Sequence, residues 1–337
     1  MRIDRFDTEK DILIVAEVGN NHEGSYTLAE DLVGLAAEAG ANAVKFQTFK
    51  TEHYVSRRDE ERYQRLKSFE LSYDEFEKLS KLAAKSGLIF ISTPFELESA
   101  RFLDKIVSAF KIASSDNTFY PLLECVARTH KPILLSAGLA DLTQLGYSKS
   151  LIEKTWHEEN IQQSLAILHC VSSYPVVPEE TNLLAIKTIQ DEFHCTVGYS
   201  DHTLGLEAAV LAVALGARII EKHFTINKHY SDFRDHQLAA DPRELAVLVE
   251  KVKQARELLG TGLKMPQKSE KSIESLVRRT IVAKRDLAAG TAISADDITW
   301  VRPAMGLPPG KETRVLGKVL RKPVHMGDPI LPEFFDA

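Results

Sequence analysis

Cysteine is scarce in this chain, with three in 337 residues. Cys125, Cys170 and Cys195 have no CxxC spacing and cannot all pair, which excludes a disulfide scaffold and a cysteine-rich zinc module. Two of them sit in apolar, strand-like runs, and all three read as reduced core residues. Long hydrophobic runs are also missing. The longest, Ala208 to Leu215, falls far short of the roughly 20 residues that span a bilayer. The opening MRIDRFDTEK has no apolar segment behind it and does not read as a signal peptide, so a cytoplasmic protein is expected. Neither sign of charge dominates: 42 basic residues against 48 acidic leave a net charge of −6. No footprint for nucleic acid or an anionic membrane is visible in those totals, and any anionic ligand must be held by a local cluster.

What is present is a recurring alternation. With 44% hydrophobic and 27% charged residues the chain can build a core, which excludes disorder. Eight short β-rich runs recur: Ile12–Val18, Ala43–Thr48, Leu88–Thr93, Ala109–Ala113, Pro132–Ala137, Leu165–Val171, Thr196–Ser200 and Arg218–Thr225. Between them lie helical periods such as Leu28-Leu32-Leu35-Ala36-Ala39, Phe76-Leu79-Leu82-Ala83 and Leu183-Ile186-Ile189, with Gly40, Gly87 and Gly216 placed as stops. Eight strands alternating with helices predict an α/β fold, a (β/α)₈ barrel. The rival, an open doubly wound sheet, lacks a GxGxxG after its first strand. Pro242 starts the last barrel helix, which ends at Gly260-Thr-Gly262. The expected division is a barrel over 1–262, a polar Lys-rich linker over 263–276 and a small β-rich module over 277–337. That module carries a faint repeat: Asp286-Leu287-x-x-Gly290-x-x-Ile293 and Pro323-Val324-x-x-Gly327-x-x-Ile330. About 60 residues make a marginal core, so the module is expected to lean on a partner surface.

In such a barrel chemistry belongs at the C-terminal ends of the strands. Polar residues collect there: Glu17; Lys45 and Gln47, which at i and i+2 point to one side; Thr93; Lys111 and Ser114; Ser136; His169, Ser172 and Tyr174; Ser200, Asp201 and His202; Glu221 and His223. A lysine inside a strand is costly to bury unpaired, and two of them argue for an anion between them. The alternative is that they snorkel to the rim. A lone histidine in an apolar strand is commonly a satisfied core residue. His202 and His223, however, end adjacent strands where two imidazoles could share one ion, leaving the other positions to water and substrate oxygens, an arrangement suited to Lewis-acid work on a carbonyl. Both readings of the histidines stay open on spacing alone.

Six segments carry a resemblance: Ala16-Glu-Val-Gly-Asn-Asn-His-Glu-Gly24, Val44-Lys-Phe-Gln-Thr48, Phe110-Lys-Ile-Ala-Ser114, His169-Cys-Val-Ser-Ser-Tyr-Pro175, Gly198-Tyr-Ser-Asp-His-Thr203 and Glu221-Lys-His-Phe-Thr225. In this order they resemble the sialic acid synthase family, the phosphoenolpyruvate-condensing nonulosonate synthases, and the C-terminal segment resembles their antifreeze-like (SAF) domain. The resemblance implies a (β/α)₈ barrel joined to a SAF domain in a domain-swapped, head-to-tail homodimer. It implies a divalent metal, manganese in the first place with magnesium or cobalt as alternatives. The implied reaction condenses phosphoenolpyruvate with the open-chain aldehyde of an N-acylated hexosamine, N-acetylmannosamine or a related 2,4-diacetamido sugar, giving a nine-carbon 2-keto-3-deoxy acid and phosphate. His202 and His223 would then be metal ligands. Lys45, Lys111, Ser114, Ser136 and Ser200 would hold phosphoenolpyruvate with Thr93 nearby, and Glu17 would be the carboxylate near the reacting carbons. Gln47, Tyr174, Asp235 and Arg302 would face the sugar, Arg302 from the neighbouring subunit.

Three departures from the family pattern bear on the sugar. Asp116 stands where many members have Glu, and Ser172 where some have Asn; both stay in the expected substrate site. The loop Asn227–His236 lacks the usual Pro-Gly-Pro and carries Arg234, which either meets an acidic or phosphorylated group or is a surface cation. Rival readings are another 3-deoxy-ulosonate synthase acting on a phosphorylated sugar, a Schiff-base aldolase using Lys45 or Lys111, and a non-catalytic sugar-binding barrel.

Overall fold

The computed structural model describes residues 1–335, which form two compact units divided at Gly260 and Thr261. The first unit begins with a short hairpin, β1 (Arg2–Ile3) and β2 (Phe6–Asp7), that the sequence pattern did not announce. Eight parallel strands follow: β3 (Leu13–Gly19), β4 (Ala43–Thr48), β5 (Ile89–Pro94), β6 (Ala109–Ile112), β7 (Ile133–Ser136), β8 (Leu165–Cys170), β9 (Thr196–Asp201) and β10 (Ile219–His223). They close into a barrel in chain order, with β10 paired to β3. Each predicted run is a strand, with ends that match or differ by no more than two residues. The intervening helices pack their apolar faces on the barrel's outside, as Leu28, Leu32 and Ala36 of helix Tyr26–Glu38 do. Gly40, Gly87 and Gly216 follow their helices in left-handed conformations.

The period of two along each strand sorts the barrel's interior into layers. Inward positions near the N-terminal ends are apolar: Leu13 and Val15, Ala43, Ile89 and Ile91, Ala109, Leu134, Ala166 and Leu168, and Ile219 form one buried cluster. Ile3 of the hairpin joins that cluster and covers it from the N-terminal end. Two residues further along the same strands stand Glu17, Lys45, Thr93, Lys111, Ser136, Cys170 and Glu221, and β9 adds Ser200 two residues after Gly198. The register places Glu17 beside Lys45 and Glu221 beside Ser200, so the polar residues form a ring above an apolar plug.

The second unit has its own core, built from residues such as Ile281, Leu287, Ile293, Leu320, Val324 and Ile330. Strands β11 (Thr280–Ala283) and β12 (Ile298–Val301) pair antiparallel. The sequence repeat is a structural pairing: Leu287 and Val324 exchange backbone hydrogen bonds of 2.8 and 2.9 Å, and each half turns at its glycine, Gly290 or Gly327. The expected linker is only partly irregular. It contains a 3₁₀ turn at Lys268–Glu270 and leads into helix Glu274–Val277, which is tied to the second unit by the Ala304 amide donating to the Ser275 carbonyl at 2.7 Å. No helix among the described residues is long and apolar enough to cross a membrane.

Candidate active site

A cavity of about 970 Å³ opens at the C-terminal ends of the strands. Its floor holds four buried charges. Lys45 Nζ lies 2.9 Å from Glu17 Oε2 and 3.6 Å from Glu221 Oε1, and Lys111 Nζ lies 3.9 Å from the same Glu221 oxygen. The side chains of all four are less than one-tenth exposed, so neither lysine snorkels to the rim. Lys45 also donates to Thr93 Oγ1 at 3.2 Å, and Lys111 donates to Ser136 Oγ at 2.5 Å and to the Ile112 carbonyl at 3.0 Å. Ser200 Oγ donates to Glu221 Oε1 at 2.9 Å, and Gln47, whose Oε1 accepts from Asn20 Nδ2 at 3.0 Å, donates through Nε2 to Glu17 Oε1 at 3.1 Å.

This packing drives the two carboxylates apart in acidity. Burial, reinforced by the charge of Glu221, pushes Glu17 above the ordinary carboxylate value against the opposing pull of Lys45 and Gln47. Burial opposes ionisation of Glu221 too, but the ammoniums of Lys111 and Lys45 and the Ser200 hydroxyl hold it below that value. Two carboxylates with opposed shifts suit different tasks: Glu221 is the fixed anion and Glu17 the group able to carry a proton. Lys111 is pushed down, by burial first, whereas Lys45 is raised because Glu17 and Glu221 outweigh its desolvation.

Beside the lysines lies a hydroxyl pocket that depends on Gly138. A Cβ built at Gly138 would stand 2.5 Å from both Ser114 Oγ and Ser172 Oγ, and 2.9 Å from Ser114 Cβ. Asn117 Nδ2 fixes this stretch by donating to the Gly138 carbonyl at 2.8 Å and to the Ser136 carbonyl at 3.2 Å. Ser172 Oγ is buried with no hydrogen-bond partner among the described residues, a group left for a ligand.

The two histidines converge on the other wall. His202, just past β9, and His223, the last residue of β10, have ring centroids 5.4 Å apart. His202 Nδ1 is 2.9 Å from the Val171 carbonyl, so it carries the proton and leaves Nε2 free. Burial, then the charges of His202 and Lys45, drives His223 well below the usual histidine value, and its Nδ1 is buried without a partner. Burial works against a charge on His202, but Cys170 and the Val171 carbonyl outweigh it and raise His202 above the usual histidine value; in its neutral form its Nε2, together with the uncommitted nitrogen of His223, fits a metal ion. Among the described residues no group of three or more His, Cys, Asp or Glu side chains could hold one, so the remaining coordination falls to water and substrate.

The mouth is apolar and cationic. Tyr54 stacks on Phe95 at 4.4 Å, and Phe69 meets Phe233 edge-on at 5.2 Å. Tyr174 lies 4.1 Å from the His202 ring with the Arg234 guanidinium 4.9 Å from its centroid. Arg234 thus lines the cavity, although its side chain is 70% exposed.

The cavity gathers Glu17, Lys45, Gln47, Thr93, Lys111, Ser114, Ser136, Ser172, Tyr174, Ser200, His202, His223 and Asp235. Asp116 is not among its lining residues; it sits on the 3₁₀ turn Ser114–Asp116, where it accepts from Ser115 Oγ at 2.8 Å. Arg302 belongs to the second unit, exposed in a cleft with Arg278 and Arg279. Three contributors were not assigned from sequence. Glu221 was noticed at a strand end without a role, although the period of two from Ile219 marked it as inward. Gly138 carries no local signal of its own. Cys170, expected as an inert core thiol, lines the cavity with Sγ 3.6 Å from His202 Nδ1. The mouth helices Thr51–Tyr54 and Glu60–Phe69 were also missed. His169 and Asp201, by contrast, are structural: His169 Nε2 meets the Thr181 carbonyl at 2.9 Å, and Asp201 faces Lys222 Nζ at 2.9 Å.

Residues 32–264 match the NeuB family, and residues 278–336 match the SAF domain. An uncharacterised protein of Methanocaldococcus jannaschii is 44% identical over 92% of this chain and 89% of its own length. The N,N'-diacetyllegionaminic acid synthase of Legionella pneumophila is 38% identical over 96% of this chain and 94% of its own. A crystal structure of N-acetylneuraminic acid synthetase from Leptospira borgpetersenii superimposes with a TM-score of 0.72 at 36% identity, covering 78% of this chain and 90% of that one. With a closed eight-strand barrel, a SAF domain and relatives of this kind, the chain belongs to the NeuB family of nonulosonic acid synthases.

Proposed function

We propose that the protein condenses phosphoenolpyruvate with the open-chain aldehyde of an N-acylated hexosamine, releasing phosphate and a nine-carbon 2-keto-3-deoxy acid. The observation that carries this reading is the juxtaposition of two buried lysines and a hydroxyl pocket with a pair of converging imidazoles in one cavity. Lys111, Lys45 and the hydroxyls of Ser114, Ser136, Ser172 and Ser200 bind the phosphate and carboxylate of phosphoenolpyruvate. His202 and His223 would hold a divalent ion, manganese in our reading, which supplies Lewis-acid polarisation of the acceptor carbonyl.

Held there, C3 of phosphoenolpyruvate forms a bond to the aldehyde carbon with the enol electron pair, and the aldehyde oxygen takes a proton. The positive charge left at C2 is captured by water. The tetrahedral adduct then breaks its C2–O bond to phosphate, and the C2 hydroxyl loses its proton to give the ketone. Glu17, at the ring's edge with its raised pKa, handles one of these protons, while Glu221 stays ionised and steadies the positive charge as it develops. Gln47, Tyr174 and Asp235 face the sugar, and Arg302 completes the site from the SAF domain of a second copy in a homodimer. Asp116, set back from the cavity lining, is given no substrate contact in this reading.

For the acceptor we favour a 2,4-diacetamido sugar. The similarity to an N,N'-diacetyllegionaminic acid synthase supports it, as do the apolar faces of Tyr54, Leu66, Phe69, Phe95 and Leu139, which suit methyl and acetyl groups. The test is phosphate release from phosphoenolpyruvate with manganese against N-acetylmannosamine, its 6-phosphate and 2,4-diacetamido-trideoxyhexoses. Turnover with the diacetamido sugar at the highest kcat/KM is expected; preference for the phosphate ester would assign Arg234 to that group, and no release with any acceptor would end the synthase reading.

A further inference from the structure

The loop after β10 carries two cavity residues, Arg234 and Asp235; its backbone is paired near its ends, where Phe224 bridges Ala240, and Lys228 Nζ donates to Glu244 Oε1 at 2.7 Å. Its middle is fastened by side chains. Glu23 Oε1 lies 2.9 Å from His236 Nε2 and also accepts from Ser231 Oγ, while His236 Nδ1 lies 2.6 Å from Thr225 Oγ1. With Nε2 donating to the carboxylate, Nδ1 is left to accept from the threonine hydroxyl. His236 is fully buried, and Glu23 sits in the turn after β3 with φ of 47°. One carboxylate therefore joins the turn after β3 to the loop after β10, across the seam where the barrel closes.

Asp235 is the neighbour of His236 in sequence and shares its short helix, Arg234–Leu238. It is held buried, with Oδ1 3.4 Å from Arg234 Nε but hydrogen-bonded to nothing among the described residues. A buried carboxylate oxygen without a donor is an acceptor kept for a ligand hydroxyl or amide. The fastening makes none of the contacts of Lys111 and Ser136, on β6 and β7, and Lys45 is tied to Glu17 and Glu221 within strands β3 and β10 themselves, not through Glu23.

We propose that Glu23 is a positioning residue for the acceptor sugar: through His236 and Ser231 it fixes the loop that presents Asp235 and Arg234, and it leaves the phosphoenolpyruvate half of the cavity unaffected. This rests on the synthase reading above. Two variants separate reach from charge. Glu23→Asn tolerates the left-handed backbone and is one methylene too short to span the gap; Glu23→Gln keeps the length and an acceptor oxygen. KM for each substrate and kcat are measured beside the wild type, with calorimetric titration of phosphoenolpyruvate alone.

Glu23→Asn is expected to raise KM for the sugar at least about tenfold, the loss typical of a hydrogen bond to a charged group, while phosphoenolpyruvate affinity stays within about twofold. Glu23→Gln is expected to recover most of that loss. The proposal is overturned by an unchanged sugar KM in Glu23→Asn, by a parallel loss of phosphoenolpyruvate binding, or by Glu23→Gln being as impaired as Glu23→Asn. Any of these with an active wild type sinks the positioning role alone, whereas a wild type that releases no phosphate sinks the synthase reading and this inference with it.

Discussion

The charge balance on the cavity floor makes Lys111 the lysine whose loss should hurt phosphoenolpyruvate binding more. At an effective dielectric constant of about 20, the carboxylates 2.9 and 3.6 Å from Lys45 supply about 10 kcal/mol of attraction, against about 4 kcal/mol from the single carboxylate 3.9 Å from Lys111. Lys45 is thus largely neutralised by its neighbours, and Lys111, held mainly by Ser136 and the Ile112 carbonyl, has charge to spare for an anion. Truncating one member of a desolvated charge pair typically costs about 2–5 kcal/mol of binding. Lys111→Met should therefore weaken phosphoenolpyruvate affinity about 30- to 4,000-fold, and Lys45→Met by less. Calorimetric titration with phosphoenolpyruvate gives both values. The pH dependence adds a second signature. Binding requires the ammonium form, and burial pushes the Lys111 pKa down, so wild-type affinity should fall at a lower alkaline pH than an ordinary lysine would dictate, with that limb missing in Lys111→Met. An unchanged affinity in Lys111→Met would refute the reasoning, as would a larger loss in Lys45→Met.

Exhaustive chelation should abolish turnover and manganese should restore it; full activity in metal-free His202→Ala would remove the metal from the mechanism. Gly138→Ala forces a methyl against Ser114 and Ser172, and since Ser114 Cβ cannot rotate away, the hydroxyl pocket must distort. Overpacking of this kind costs about 1–3 kcal/mol, so phosphoenolpyruvate KM should rise by roughly tenfold, and an unaltered KM would exclude that pocket from the site. Lys222→Met strands the fully buried Asp201 carboxylate and should lower stability by about 3–5 kcal/mol in urea unfolding, although Lys222 does not line the cavity; a loss under about 1 kcal/mol would contradict the pairing argument. Arg302→Ala should impair use of the sugar while sparing phosphoenolpyruvate, and mixing it with His223→Ala should regenerate some activity; no recovery in a verified mixed dimer would place the arginine's action elsewhere.

The amino-acid pattern by itself determined the barrel and most of its chemistry. Strands with apolar residues at both parities, separated by helical periods, have few packing solutions other than a closed parallel sheet wrapped by helices. Once the sheet closes, the period of two carries Glu17, Lys45, Lys111 and Ser200 inward at the C-terminal ends without further information. The internal repeat of the second unit was legible for the same reason, since two short copies of one pattern bury their Leu287 and Val324 positions against each other. What only the tertiary structure decided was partnership between residues far apart in the chain. Glu221 became the fixed anion because closure set it 3.6 and 3.9 Å from two lysines on other strands. Gly138 mattered because Ser114 and Ser172 arrive on either side of it, and Cys170 left the inert core for the cavity because β8 ends beside His202. Asp116 shares the 3₁₀ turn whose Ser114 and Ser115 line the cavity, and its own side chain is turned to Ser115. A side chain's local pattern fixes which way it points. Its acidity and its task depend on the field of charges and the space that distant segments bring to it, and these exist only after the chain has folded.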